Sequence, residues 1–314
     1  MALTSISPQK IIPLDLYDKK ILYHLSKDYR MSRKQLAKQL RISPQRLHYK
    51  LQRLTKELID PLILINYPAL GIKMYLIFLP KLSEESKKEL MKDPSVAFFM
   101  QAVGTYRYVL NVITSDIEEF CKRLLPGFHT KVIEVTKQIP DSYNPFPIGK
   151  SLESVKEDKK IKLDKKDLQI LLQLSKNPDD SLIGLSKVKG IDRQTIKSRI
   201  KKMEEANIIQ KFRYSMNISK LGYLIYFLKI KVTSDSREKI LNEIRQDNYS
   251  GTVFVTHNGF ILFYMPPSHR ELFKFVEKTQ ASDSNARIEI IQNTEYFKIS
   301  PSPTNELEKL LKEL

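Results

Sequence analysis

The sequence has no tryptophan, a single cysteine, few glycines and no long apolar run. Cys121 alone cannot form an intrachain disulfide, so we expect a cytoplasmic protein. Nine glycines in 314 residues argue against glycine-rich disorder and against glycine-rich nucleotide loops. The most apolar runs, 74–79 and 223–228, are far shorter than the ~20 residues that a membrane helix requires. They are interpreted as buried strands, and the first ten residues lack the apolar core of a signal peptide.

Acidic residues are too few to balance the basic ones, and the difference is unevenly distributed. The chain has 53 Lys and Arg against 36 Asp and Glu, a net charge of +17. Residues 1–66 carry 13 basic and 5 acidic residues, and residues 163–219 carry 12 and 7. These two segments therefore hold 13 of the 17 excess charges, whereas a device for solubility would spread them. This distribution predicts a polyanion-binding face on each segment.

The two basic segments are copies of each other, 149 residues apart. The register continues without a gap as far as Leu54 and Met203. Two such units in one chain are expected to pair about a pseudo-twofold axis, and the period is too long for a solenoid. The copied positions include Leu14-Asp15, Asp18 and Ile21-Leu22, which recur as Leu163-Asp164, Asp167 and Ile170-Leu171.

Each copy has the pattern of three helices followed by a strand. In the first copy, Ser43 is placed to cap the third helix, with Pro44 at its first position. Residues 62–65 then predict a short strand, which is interpreted as a wing. The second copy repeats this plan, with Asp192 as the cap and the wing at residues 208–214. The pattern is that of a winged helix-turn-helix.

The third helix of each copy is predicted to present its exposed side to nucleic acid. Its early residues carry groups that pair with base edges, and its later cations can reach phosphates. The alternative is that these are only the solvated faces of helical bundles. The predicted DNA-binding residues are Ser43, Gln45, Arg46, His48, Tyr49, Lys50, Arg53 and Lys56 in the first copy, and Arg193, Gln194, Thr195, Lys197, Ser198, Arg199 and Lys202 in the second.

The nearly neutral segments predict the order β-α-β-β-α-β, which is the ferredoxin-like arrangement. The predicted class is therefore α+β, with each helix-turn-helix followed by such a domain in an intrachain pseudo-dimer. Leu307, Leu310 and Leu311 form an apolar stripe in the tail that is expected to dock. The predicted divisions are a helix-turn-helix at 14–68, a ferredoxin-like domain at 69–140, a linker at 141–162, a second helix-turn-helix at 163–219, a second ferredoxin-like domain at 220–299 and a C-terminal tail helix at 300–314.

In combination these motifs resemble the Lrp/AsnC family of transcription regulators over residues 14–140 and 163–299. The resemblance implies a DNA-binding winged helix joined to a ligand-sensing, ferredoxin-like RAM domain that dimerises through its sheet. Members usually have one unit per chain, whereas this chain has two. The motifs are Leu14-Asp15-x-x-Asp18-x-x-Ile21-Leu22 with its repeat at Leu163, Ala69-Leu70-Gly71 with Lys220-Leu221-Gly222, and Val103 to Leu110 with Asp116, Phe120 and Leu125-Pro126-Gly127.

The resemblance also implies an effector turn in each RAM domain, where the family binds amino acids between subunits. The turns are Gly104, Thr105 and Tyr106 in the first copy, and Asn258, Gly259 and Phe260 in the second. The acidic residue usual in the family is absent from both, so ordinary amino acids are expected to bind weakly or not at all. The other interpretation of both glycines is a tight turn between strands.

The expected function is sequence-dependent regulation of transcription on double-stranded DNA, in the nucleoid, with self-association through the RAM sheets. One alternative is an architectural chromatin protein with little sequence preference. Another is an enzyme like the sirohaem decarboxylases, which share this domain pair and rely on His and Arg, for which His257, Arg107 and Arg270 are candidates. The missing tryptophan and the scattered histidines count against it. No catalytic residue, cofactor or metal site is therefore predicted.

Overall fold

The structure is a computed structural model that describes residues 11–139, 158–299 and 303–313. Most of the predicted linker at 141–162 and the start of the predicted tail at 300–302 lie outside the described residues. Within these ranges, no helix is long and apolar enough to cross a membrane.

The first unit begins with three helices whose starting points are set by side-chain caps. Asp15 and Asp18 form a reciprocal capping box on the first helix. Ser32 and Ser43 each accept a backbone N–H in the first turn of the second and third helices. The elements are α1 (Leu16–Lys27), α2 (Arg33–Leu40), α3 (Pro44–Glu57) and the strand β1 (Ile59–Ile65).

A ferredoxin-like domain follows in the predicted order. Leu90 and Phe120, from its two helices, are buried against Phe99 and Leu110 of the sheet. The elements are β2 (Met74–Leu79), α4 (Glu84–Lys92), β3 (Val96–Val103), β4 (Tyr108–Ile113), α5 (Ile117–Leu124) and β5 (Lys131–Val135), after which the chain continues as the short strand β6 (Lys137–Ile139).

The second unit repeats the first. Asp164 and Asp167 form the same capping box. Gly190 ends the second helix in the left-handed conformation that Arg41 adopts in the first unit. The elements are α6 (Lys165–Lys176), α7 (Leu182–Lys189), α8 (Arg193–Glu205), β7 (Ile209–Met216), β8 (Tyr226–Lys231), α9 (Arg237–Gln246), β9 (Ser250–Thr256), β10 (Gly259–Tyr264), α10 (His269–Ser282), β11 (Arg287–Ile299) and α11 (Asn305–Glu313).

The strands that follow the two third helices pair with each other across the units. β1 and β7 form an antiparallel ribbon, with Ile59 opposite Met216 and Leu62 opposite Arg213. From the sequence, each strand was predicted to form a wing within its own unit. That prediction is wrong, because each strand pairs with the strand of the other unit. Each strand satisfies the backbone groups that the other would leave exposed at an edge. Beside the ribbon, the Arg30 guanidinium lies 3.9 Å from the ring centroid of Phe212 in the other unit.

The two ferredoxin-like sheets merge into one sheet with the strand order β5-β2-β4-β3-β11-β8-β10-β9-β6. The first part of β11 pairs with β8 of its own unit, and from Gln292 onward it pairs with β3 of the other. The strand continues past Ile291 because β3 of the other unit offers it a partner. In the same way β5 pairs with β2, and β6 crosses to β9. Because only Thr136 separates β5 from β6, the sheet closes on itself.

The C-terminal helix α11 is held by both units. Leu307 is fully buried in the core that contains α6, and Glu308 pairs with Lys176 of α6 at 2.9 Å. The Asn305 side-chain amide donates to the Ser95 hydroxyl of the first unit at 3.0 Å. The Leu307 stripe therefore docks on helix α6 of its own chain, and the whole arrangement is the α+β pseudo-dimer that the repeat predicted.

Candidate nucleic-acid interface

Helix α3 presents a polar, cationic face to solvent from its first turn onward. The Ser43 hydroxyl accepts from the Arg46 backbone N–H at 3.1 Å, which fixes where the helix starts. Ser43 is therefore a cap, and the side chains that follow it form the open surface. Tyr49 is 72% exposed, and the Arg46 guanidinium lies 4.4 Å from the ring centroid of Tyr17. The exposed predicted residues of this helix are Gln45, Arg46, His48, Tyr49 and Lys56.

Helix α8 presents the corresponding face in the second unit. Asp192 accepts from the Thr195 backbone N–H at 2.9 Å and also from the Thr195 hydroxyl. Because Thr195 is half-buried and bonded to its own cap, it contributes less to the open surface than its neighbours. The exposed predicted residues here are Arg193, Gln194, Lys197, Ser198 and Lys202.

Lys50 does not lie on the open face of α3. Its side chain is 11% exposed, and its Nζ lies 2.6 Å from Oδ2 of Asp15 and 3.0 Å from Oδ1 of Asp18. Arg53 donates to the other oxygen of Asp18. The expectation that Lys50 is an exposed phosphate contact is therefore wrong. Lys50 and Arg53 connect α3 to the start of α1.

The second unit builds the same cluster from its copied positions. Arg199 stands where Lys50 does, and its Nη1 lies 2.8 Å from Asp164 and 2.6 Å from Asp167. Lys202, at the position of Arg53, lies 3.4 Å from Asp167. The repeated Leu-Asp-x-x-Asp motif thus provides the carboxylates that position the third helix. Arg199 shares the structural role of Lys50, while Lys202 remains half-exposed beside the cluster.

The charges within these clusters hold one another in their ionised forms. Burial alone would raise the pKa of Asp15, but the hydrogen bond and the charge of Lys50 lower it to about 2. For Lys50, burial acts to lower the pKa, and the hydrogen bonds to Asp15 and Asp18 outweigh it and raise the pKa. A backbone hydrogen bond from Asp167, with the pairing to Arg199, lowers the pKa of Asp164.

Arg41 is an exposed cation near the interface that the sequence analysis did not single out. It ends α2 with φ of 53°, in the turn that leads directly to the cap of α3. The available signal was a basic residue in the turn of a helix-turn-helix, where a side chain reaches the phosphate backbone. The second unit has Gly190 at this position and lacks the cation.

Comparison with known proteins bears directly on these two helical segments. Residues 14–57 and 163–210 both match the family described as winged helix-turn-helix DNA-binding. An uncharacterised HTH-type transcriptional regulator of Pyrococcus horikoshii is 37% identical over 94 residues, which is 29% of this chain and 63% of that relative. Another from Pyrococcus abyssi is 26% identical over 146 residues, which is 44% of this chain and 98% of the relative. The two segments are therefore winged helix-turn-helix units similar to those of HTH-type transcriptional regulators.

The chain carries two such units in tandem, and the segment that it shares with the first of these relatives spans 63% of that relative. Among solved structures, its whole fold resembles that of the siroheme decarboxylase NirDL, with a TM-score of 0.60 and 13% identity. The match covers 95% of this chain and 97% of that one. At this identity the likeness concerns the fold alone, and it extends to the paired-unit architecture.

The turns predicted from the Lrp/AsnC resemblance as effector contacts are not equivalent in the structure. Gly104 and Thr105 are exposed, and Tyr106 packs against Phe78 at 5.3 Å between ring centroids. In the second unit, Phe260 is buried in the core. Gly259 has φ of 145°, and a Cβ there would lie 2.0 Å from the Ile230 carbonyl oxygen. Close strand pairing therefore requires this glycine, and a role of either turn in effector binding stays a prediction.

The three residues that the enzyme alternative would use lie at separate places. His257 is exposed in the turn between β9 and β10, where its carbonyl accepts from Arg237 at 3.0 Å. Arg107 is exposed before β4, and Arg270 is exposed in the first turn of α10. Within the described ranges, no group of three or more His, Cys, Asp or Glu residues is arranged to hold a metal ion.

Proposed function

We propose that this protein is a sequence-dependent transcription regulator of the Lrp/AsnC type that binds double-stranded DNA with α3 and α8 of one chain. The observation that carries the proposal is the composition of the two open helix faces. Arg46 and Arg193 suit the acceptor pair of guanine, and Gln45 and Gln194 suit the donor and acceptor of adenine. The clustered cations of the same segments supply the attraction to phosphate.

The β1/β7 ribbon makes the two faces parts of one body. β1 begins two residues after α3 ends, and β7 begins four residues after α8 ends. Pairing of these strands therefore fixes the separation of the helices, as dimerisation does in a regulator with two identical subunits. The two faces differ in sequence, so the proposed site is bipartite and non-palindromic.

The architectural alternative is separated from this proposal by affinity for preferred and random DNA. A preferred duplex selected from a random pool should bind about a thousandfold more tightly than random DNA of equal length at physiological salt. Titrations at several salt concentrations give the phosphate contribution, because log K falls by about 0.9 per phosphate contact for each unit of log salt. Equal affinities at every salt concentration would favour the architectural protein.

Regulation by ordinary amino acids is not part of the proposal. The exposed turn at Thr105 offers a hydroxyl and lacks the carboxylate that an ammonium group requires. Calorimetric titration with each of the twenty amino acids should show no saturable binding up to several millimolar. Saturable binding that also changed DNA affinity would contradict this view of the turns.

A tetrapyrrole decarboxylase is the second candidate, and the fold likeness to NirDL over 95% of the chain favours it. His257, Arg107 and Arg270 are exposed at separate turns and helix ends, which does not suit a common site. Mixing the protein with siroheme and following the absorbance spectrum tests this candidate. We expect no shift of the tetrapyrrole bands, and a saturable shift followed by loss of carbon dioxide would establish the enzyme.

A further inference from the structure

A cavity of about 370 Å³ lies between the β1/β7 ribbon and the inner face of the closed sheet. Its volume falls within the range of about 300–1,000 Å³ typical of small-molecule sites. Both units contribute to it, since Met100 and Asn111 come from the first sheet and Phe227 and Thr252 from the second. The cavity therefore exists only because the two units are paired.

The ribbon separates this cavity from the helical layer. Leu62, Leu64 and Arg213 point from one side of the ribbon into the cavity. Ile63 and Phe212, on the alternate positions, are buried in the core beneath the helices. DNA bound at α3 or α8 and a molecule in the cavity would therefore lie on opposite sides of the ribbon.

One wall of the cavity is aromatic. The rings of Phe98 and Phe227 are 5.6 Å apart between centroids, and those of Phe227 and Phe263 are 5.2 Å apart. Phe254 lies 6.4 Å from Phe98 and completes the group. Such a surface offers little to a cluster of water molecules, each of which needs two to four polar partners. It suits the flat face of an aromatic molecule.

Three buried polar side chains interrupt this apolar lining. Asn111 is 4% exposed, and Gln138 and Thr252 are each 8% exposed. The Asn111 amide donates to the Tyr75 carbonyl at 3.2 Å, which leaves its side-chain oxygen directed elsewhere. The side chains of Gln138 and Thr252 form no hydrogen bond with any residue in the described parts of the chain. Because their unbonded polar atoms keep some accessible surface, these groups are open to pairing with an occupant of the cavity that carries matching atoms.

The charges on the wall limit what that occupant can be. Asp60 and Arg213, which have opposite signs, are the charged residues among the described ones that line the cavity. Both lie on the ribbon, and their charges offset each other. The described lining therefore has no net charge to compensate that of a buried ion, and burying an uncompensated charge is unfavourable. We propose that the cavity binds an uncharged, largely aromatic small molecule whose carbonyl or hydroxyl groups pair with Thr252, beside Asn111 and Gln138.

Nile red, a flat neutral dye that carries a carbonyl group, is a suitable probe of this site in the full chain without DNA. Its fluorescence should rise saturably with one dye per chain, while the anionic dye anilinonaphthalene sulfonate should bind much more weakly. Thr252→Val removes one hydroxyl at constant shape and should weaken Nile red binding roughly three- to tenfold. Because Thr256 is also 8% exposed but does not line the cavity, Thr256→Val is the matched control and should bind as the wild type does.

Ala97→Phe fills the cavity and should abolish binding of the dye, with circular dichroism to confirm the fold. If Ala97→Phe does not fold, the comparison of Thr252→Val with Thr256→Val decides alone. Absence of saturable Nile red binding to the wild type would overturn the proposal. Equal binding by the wild type and Thr252→Val would overturn it as well. The dye measurement contains no DNA, so its result is independent of the proposed DNA-binding function.

Discussion

Lys50 and Asp15 form an ion pair with 2.6 Å between Nζ and Oδ2, although they lie 35 residues apart in the chain. Asp15 caps α1 and Lys50 lies in the middle of α3, so the pair sets the angle between the first helix and the proposed DNA-contacting helix. The second unit repeats the relationship with Asp164 and Arg199. Two features of the sequence, the acidic motif and the basic helix, are thus two halves of one structural device.

Replacing Lys50 with methionine should destabilise the first unit strongly. The substitution leaves the buried Asp18 with Arg53 as its remaining cation, and loss of one partner from a buried pair costs about 3 kcal/mol or more. Urea denaturation measures the change in the free energy of unfolding. Lys56→Met, at an exposed position of the same helix, is the control and should change it by less than about 0.5 kcal/mol. Similar losses in both variants would contradict the structural role of Lys50.

Acid should weaken the fold between about pH 4 and pH 2 through Asp15. Its pKa is about 2 in the folded chain against an ordinary value of 3.8. A carboxyl group with a lowered pKa stabilises the fold above its ordinary pKa, and this contribution disappears as the pH falls through the folded value. The effect should be modest because Asp15 is half-exposed. Asp15→Asn keeps the cap but not this titration, so its stability should fall less steeply in urea denaturation across that range. Identical slopes would show that the pair does not lower the pKa.

The C-terminal helix should contribute to the stability of the whole pseudo-dimer. Leu307 is fully buried, and Leu307→Ala should reduce the free energy of unfolding by about 2–5 kcal/mol. Leu311→Ala, on the same helix but only half-buried, is the control and should have a smaller effect. Thermal and urea denaturation of both variants provide the comparison. Equal effects would mean that the helix is held chiefly by its polar contacts.

Arg46 and Arg193 should discriminate between DNA sequences. Each Arg→Ala substitution should cost about 1–3 kcal/mol of binding free energy on a preferred duplex and much less on random DNA. Arg270→Ala removes an exposed arginine far along the chain, in α10, and should alter neither affinity. Fluorescence anisotropy with both duplexes measures the difference. If the two arginine variants lost equal affinity for both, they would contact phosphates and not bases.

Local sequence patterns were sufficient to predict the helices, their caps and the order of the strands. The same patterns indicated that Lys50 is buried, because Leu47, Lys50, Leu51 and Leu54 are spaced to share one helix face. A lysine is usually exposed to solvent, whereas the spacing of Lys50 from these leucines places it on the buried face of α3. Asp18, the buried carboxylate that pairs with Lys50, is 32 residues away in sequence. A pattern confined to one helix therefore does not include it.

The strand pairings between the two units could not be predicted from the sequence of either unit alone. Nothing within 59–65 indicates that the partner of this strand is 209–216, because the pairing depends on how the units meet. The extension of β11 past Ile291 has the same origin, since its partner β3 lies in the other unit. β1 and β11 are apolar enough to be predicted as strands, but which strands they pair with depends on how the two units meet in the pseudo-dimer.

The proposed function requires one chain to apply two different helices to one DNA site. Hydroxyl-radical footprinting tests it on a duplex selected from random DNA, with the protein shown to be a single chain by analytical ultracentrifugation. We expect two protected blocks about one helical turn apart, roughly 34 Å, with unlike sequences. Arg46→Ala should weaken protection of one block and Arg193→Ala that of the other. A single protected block, or selection of perfect inverted repeats by the single chain, would contradict binding by two different helices of one chain.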